Sequence, residues 1–91
     1  MSISQLTDRA VMSAAATGDA AAFREAVGRY SERILCFLDR FLSDRARATD
    51  LTQEAFLRFY QRLRTPGNDH PGDATSLLFT IAANLGRDEL R

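Results

Sequence analysis

Two side chains in this sequence have the chemistry for nucleophilic or acid–base work, Cys36 and His70, and each is the only residue of its type. Covalent catalysis needs a nucleophile beside a base and a third group to orient that base. One thiol, one imidazole and no paired carboxylates in an apolar setting do not supply that constellation, so the chain is not expected to be an enzyme. Asp69, His70 and Asp73 are residue types that ligate metals, but a stretch without regular structure gives them no fixed geometry. No metal or other cofactor is expected. A single cysteine excludes an internal disulfide and a multi-thiolate metal site. At about 100° per residue Cys36 falls on the charged side of its helix, near Arg29, Glu32, Arg33 and Arg40, where guanidiniums favour a thiolate; an incidental surface thiol is the expected outcome.

The residues that could do binding chemistry form two sets. The first lies in Asp50–Tyr60. Helical spacing puts Leu51, Ala55, Phe56, Phe59, Tyr60 and Leu63 on one side, which is core. The other side carries Asp50, Gln53, Glu54, Gln61 and Arg64, with Leu57 in their midst. An apolar residue ringed by carboxylates and amides resembles the centre of a docking site with a polar rim. The second set is the row Thr80, Asn84, Arg87 and Arg91 near the end of the chain. An amide and two guanidiniums on one helix face can contact phosphates and base edges.

Helices must position both sets. Thr7 or Asp8 can cap a short helix through about Ala16, with Val11, Met12 and Ala15 facing inward. Thr17-Gly18-Asp19 is a tight corner, since Gly suits a left-handed C′ position and Asp an N-cap. From Ala20 to about Leu42, Phe23, Val27, Tyr30, Ile34, Phe37, Leu38 and Phe41 recur at three- and four-residue steps, the pattern of a long amphipathic helix. Its outer face, Arg24, Glu25, Arg29, Glu32, Arg33, Asp39 and Arg40, reads as solvated mixed charge. Gly28 within it would mark a close helix crossing. Ser43-Asp44 is the turn and cap before a third helix over about Arg45 to Leu63. The next stretch, Thr65 to Thr75, holds both prolines, two of the five glycines and no periodicity, so it is a long loop. Asp73 or Thr75 then caps a last helix whose inner stripe is Leu78, Ile81, Ala82 and Leu85. That helix reaches Arg91 with no Gly, Pro or Asn stop, so the natural chain is expected to continue. The expected fold is all-α, a compact bundle of about four helices, two of them long, with a long Pro/Gly loop before the last.

At 91 residues the chain is a single domain, with a small core and modest stability. Apolar content of 45% and charged content of 26% fit a soluble globular protein. The N-terminus lacks a signal-peptide pattern and no apolar run approaches membrane-spanning length, which places the chain in the cytoplasm without a membrane partner. Formal net charge is zero, so the molecule as a whole has no general attraction for phosphate. Every basic residue is Arg and none is Lys, which favours planar, bidentate contacts over diffuse attraction.

Four motifs in order carry a resemblance: Gly18-Asp19-Ala-Ala-Ala-Phe23; Arg29-Tyr30; Asp50-Leu-Thr-Gln53-Glu54-Ala-Phe56-Leu; and Leu78-Phe-Thr-Ile81-Ala82-Ala-Asn84 with Asp88 and Arg91. Together they resemble region 2 of bacterial sigma-70-type factors, and more narrowly the extracytoplasmic-function group, over nearly the whole of residues 1–91. The family's second DNA-binding domain, region 4, is absent from these residues. The resemblance implies a transcription-initiation specificity factor that docks on the β′ clamp helices of RNA polymerase core and recognises and helps melt the promoter −10 element. Asp50, Gln53, Glu54 and Leu57 would be the polymerase contacts. The Pro66–Asp73 loop, with Asn68, Asp69 and His70, would capture a flipped base of the single-stranded non-template strand, and the last helix, with Asn84, would read the upstream part of the element. Phosphate contacts from Arg87 and Arg91, beside Thr80, are inferred from their place on the same face. An anti-sigma factor is a further implied partner. The chain departs from the family pattern in two ways. Leu77-Leu78-Phe79 stands where Trp-Leu-Phe is usual, and Ala83 and Thr80 stand where basic residues occur; both lower the DNA-facing charge or aromatic surface. The alternative is a helical protein-interaction module that binds polymerase or a regulator without reading promoter DNA.

Overall fold

Each long helix begins on a side chain that accepts a hydrogen bond from that helix's own first turn. The computed structural model describes residues 2–65 and 73–91. Among them run α1 (Asp8–Ala16), α2 (Ala20–Leu42), α3 (Arg45–Arg64) and α4 (Ala74–Glu89), preceded by a short 3-10 turn at Ile3–Gln5. Thr7 caps α1 by accepting from the Ala10 amide at 3.1 Å, and Asp19 caps α2 from Ala22 at 3.0 Å. Asp44 and Asp73 do the same for α3 and α4, from Arg47 at 3.1 Å and Ser76 at 2.9 Å. These caps satisfy amides that have no partner inside the helix. The corners need a left-handed residue, supplied by Gly18 at φ 99° and, without a glycine, by Ser43 at φ 54°.

Most of the buried residues make one contiguous core. Val11 and Met12 enter it from α1, Ile34 and Leu38 from α2, Phe59 from α3 and Leu78 from α4, each almost wholly removed from water. α2 packs against every other helix. Its inner stripe is set as much by Ala22 and Ala26, both 0% exposed, as by the aromatics that define its sequence pattern. Small side chains there let neighbouring helices approach, while Phe23 and Phe37 lie half-buried at the edges of the stripe. Phe23 stacks on Phe59 at 6.0 Å, and Phe79 packs edge-on to Phe37 at 6.1 Å and to Tyr30 at 6.4 Å.

Four expectations are corrected. Tyr60 is not core: it is exposed, its ring set edge-on against Phe23 with the Arg64 guanidinium 5.2 Å from its centroid. Phe41, at the end of the α2 stripe, is likewise exposed, although its ring lies over Gly86 of α4. The glycine at a close crossing is Gly86 rather than Gly28. A Cβ built on Gly28 meets nothing within 4 Å, whereas one on Gly86 would lie 2.9 Å from Phe41 Cδ1 and 3.3 Å from Leu38 Cδ2. Arg29 is not a solvated charge. Its guanidinium donates to Glu25 Oε2 at 2.8 Å, Asp8 Oδ1 at 3.0 Å, the Ile3 carbonyl at 3.1 Å and the Ser4 carbonyl at 3.2 Å. It thereby straps the N-terminal turn and α1 onto α2, and its bond to Asp8 holds that carboxyl below the ordinary aspartate range.

Candidate functional site

α3 presents the first candidate set as a free surface. Leu57 is 53% exposed, Asp50 and Gln53 are exposed and Glu54 is half-buried. The inner side of the same helix explains why. Leu51, Ala55, Phe56 and Phe59 are all buried, so a residue two positions from Phe59 points away from the core. Glu54 accepts from Arg58 Nε at 3.1 Å, one helical turn on, which holds its carboxylate along the helix.

Asp50, Gln53 and Glu54 also line a groove of about 570 Å³ along the seam between α3 and α4. Its floor is Leu51 and Leu85, and its far wall is Asp88 and Glu89. Arg47 spans the seam. It donates Nε and Nη2 to the two oxygens of Glu89 at 2.7 and 2.8 Å, with Asp50 Oδ2 3.8 Å from its Nη1. The Glu89 carboxyl is held below its ordinary value by that pairing. Neither Arg47 nor Glu89 stands out in the sequence, because the partners are far apart along the chain and the pairing requires α4 to fold back beside α3.

The second candidate set is also exposed: Thr80, Asn84 and Arg87 lie on the outside of α4, whereas Arg91 lies past the end of that helix at Glu89, which corrects the expectation that the helix runs to Arg91 with all four on one face. Arg87 Nη2 donates to Asn84 Oδ1, which ties the amide to the guanidinium next to it. Leu77, at the position where the family pattern has Trp, is buried, and Phe79 is half-buried against α2. Ala83 is half-buried. Asn68, Asp69 and His70 lie outside the described residues. Asp73, the third metal-ligand type in that stretch, is engaged as the cap of α4; the Ser76 backbone N–H bonded to it lowers its pKa below the ordinary value. Among the described residues no cluster of His, Cys, Asp and Glu could hold a metal ion, and no helix is long and apolar enough to cross a membrane. Cys36 is exposed, with its Sγ 3.7 Å from Glu32 Oε1.

Residues 26–91 match the Sigma-70 region 2 family. The chain belongs to that family. As a sigma-70 region 2 domain it is 33% identical over 90 residues to the RNA polymerase sigma-H factor of Pseudomonas aeruginosa, covering 97% of this chain and 45% of that protein. It is 39% identical over 71 residues to the RNA polymerase sigma factor CarQ of Myxococcus xanthus, covering 77% of this chain and 39% of that protein. The sigma-70 region 2 chain thus spans less than half the length of these curated relatives. No solved structure matches it significantly. The family match takes in α3, α4 and most of α2, the helices that carry both candidate sets.

Proposed function

We propose that this sigma-70 region 2 domain serves a transcription-initiation factor of the extracytoplasmic-function group, docking on the β′ clamp helices of RNA polymerase core through Asp50, Gln53, Glu54 and Leu57. The observation that carries this reading is Leu57, 53% exposed between the buried Phe56 and Phe59, with two exposed polar residues and Glu54 beside it. Such a centre and rim is how interfaces concentrate their binding energy. The acidic rim calls for a basic partner surface.

A chain of zero net charge has little affinity for phosphate on its own, which suits a subunit that meets promoter DNA only after docking. Once docked, Asn84 reads a base edge of the −10 element, Arg87 and Arg91 hold phosphates beside Thr80, and the loop with Asn68, Asp69 and His70 receives a flipped base of the non-template strand. Unstacking that base costs a few kcal/mol, recovered when it enters a protein pocket. The bond-making chemistry belongs to the polymerase. The setting is the cytoplasm, and an anti-sigma factor is the partner expected to cover the same surfaces when the factor is idle.

The test uses the full-length protein and core polymerase. Leu57→Asp is expected to keep its helix content and weaken core binding about 30-fold or more, the effect of losing a hot spot worth about 2 kcal/mol. Wild-type affinity in that variant removes the docking surface. Titrating the assembled complex with fluorescent single-stranded −10-type oligonucleotides tests the reading function; absence of any sequence preference leaves only a protein-interaction module.

A further inference from the structure

On the outer face of α3, Asp50, Gln53, Leu57, Tyr60 and Arg64 stand in one line, spaced alternately three and four residues apart, and all of them are exposed. That spacing, about 3.5 residues on average, keeps a row of side chains facing one neighbouring helix along its length. The row is about 21 Å long at 1.5 Å per residue. Leu57 and Tyr60 are its apolar members, 53% and 40% exposed. Beyond them the row ends at a small cavity of about 30 Å³, where Tyr60, Leu63 and Arg64 meet the corner between α1 and α2. The motif Gly18-Asp19-Ala-Ala-Ala-Phe23 supplies the facing wall through Gly18, Asp19, Ala20 and Phe23. Neither docking through Asp50, Gln53, Glu54 and Leu57 nor reading of the −10 element gives that motif a role.

Resting on the docking reading above, we propose that this cavity seats a small apolar side chain of the polymerase clamp helix that lies along α3, as a second anchor beyond Leu57. The polar groups around the cavity are already engaged. The Asp19 carboxylate caps α2 by accepting from the Ala22 amide at 3.0 Å, and the Arg64 guanidinium lies over the Tyr60 ring, 5.2 Å from its centroid. What is left open is apolar. Phe23 stacks on the buried Phe59 at 6.0 Å and meets Tyr60 edge-on at 5.1 Å, so the floor is set before a partner arrives, which lowers the cost of ordering on binding. The rim is set as well, since Gly18 at φ 99° and the Asp19 cap fix the direction in which α2 starts. A cavity of this volume holds a methyl-sized group, which selects an alanine or the branched tip of a valine over a charged or aromatic side chain. The occupant comes from the same partner as the one that meets Leu57, because Tyr60 follows Leu57 by one helical turn and one partner helix spans both.

The test measures binding of the full-length protein to core polymerase at low and high salt. Ala20, the first residue of α2, is exposed and lines the cavity, so Ala20→Phe fills it without removing a buried contact. That variant is expected to keep its thermal midpoint and to weaken core binding about tenfold. The loss is the same at both salt concentrations, as for an apolar contact, whereas the loss in Asp50→Asn shrinks as salt screens it. Ala20→Leu, a smaller filler, gives a smaller loss, so the effect follows the volume filled rather than damage to the fold. Ala20→Ser leaves the cavity open and keeps wild-type affinity. Wild-type affinity in both Ala20→Phe and Ala20→Leu, together with loss in Leu57→Asp, overturns the cavity and leaves the docking reading standing. Wild-type affinity in Leu57→Asp overturns that reading, and the cavity with it.

Discussion

Arg47 and Glu89 face each other across the α3–α4 seam as a two-pronged pair, each carboxylate oxygen taking one guanidinium N–H, at 2.7 and 2.8 Å. Each charge sits at the end of its own helix that disfavours it, a cation in the first turn of α3 and an anion in the last turn of α4. Paired, they cancel. Exposed ion pairs contribute little to global stability, so the effect of this one is to hold the end of α4 in place. Glu89→Gln is expected to speed hydrogen exchange of the Gly86–Leu90 amides while barely moving the thermal midpoint, and the charge swap Arg47→Glu with Glu89→Arg to restore protection. Unchanged exchange in Glu89→Gln would show that the pair does not hold the helix.

The two helical glycines should respond in opposite directions. Gly28 has open space around it, so Gly28→Ala removes a flexible residue from a helix interior and is expected to stabilise the fold by about 0.5–1 kcal/mol. Gly86 lies under Phe41 and Leu38, so Gly86→Val forces these side chains apart and is expected to destabilise by about 1–3 kcal/mol. Chemical denaturation of the two variants beside wild type measures both.

Acid should loosen the fold mainly through Asp8 and Asp73, with Glu89 adding only the little that its exposed pair is worth. Asp8, Asp73 and Glu89 are each held below the ordinary values of 3.8 for aspartate and 4.5 for glutamate, by Arg29, by the Ser76 N–H and by Arg47 in turn. A depressed folded-state pKa means that the folded protein takes up fewer protons than the unfolded chain, so stability is present above those ordinary values and is lost as pH falls through the lower folded ones. Thermal midpoints are expected to be level from neutral pH to about pH 5 and to drop below about pH 4. Asp8→Asn should flatten part of that drop; an unchanged acid limb would exclude the Arg29 strap as a contributor.

Asn84 is exposed, and its side-chain oxygen accepts from Arg87. Asn84→Ala is therefore expected to leave polymerase affinity and thermal stability as they are and to narrow the difference in affinity between matched and mismatched −10 sequences about tenfold, the value of one good base contact. Equal loss of polymerase and promoter binding would assign Asn84 to the fold instead.

The helices were legible because their signals are local. The caps Thr7, Asp19, Asp44 and Asp73 and the corner at Gly18 can be read a few residues at a time. The outward direction of Leu57 follows from the same periodicity that buries Phe56 and Phe59. What periodicity could not give is how far each buried stripe is actually covered. Tyr60 has the right phase for the core but lies at its rim, against Phe23 and Arg64. Gly28 and Gly86 look alike in sequence, and only the crossing of α4 over Phe41 separates them. Arg29 likewise reads as surface charge until α1 is folded against α2, and Arg47 passes unremarked until α4 lies beside α3, since their partners come from distant segments.

α1, α2 and α3 follow one another through the short corners at Thr17–Asp19 and Ser43–Asp44, whereas α4 joins only after residues 65–73. Closing that longer connection carries the larger entropy loss, so α4 is expected to dock last during folding and to leave first in a partial opening, which hydrogen exchange of its amides would show. Its release would uncover Leu78, Leu85 and the sides of α2 and α3 beneath them, the kind of surface that quality-control proteases seize. The helix with the proposed reading role is therefore also the fold's release catch, and substitutions that loosen Leu78 or Gly86 are expected to shorten the protein's lifetime in the cell before they abolish its structure.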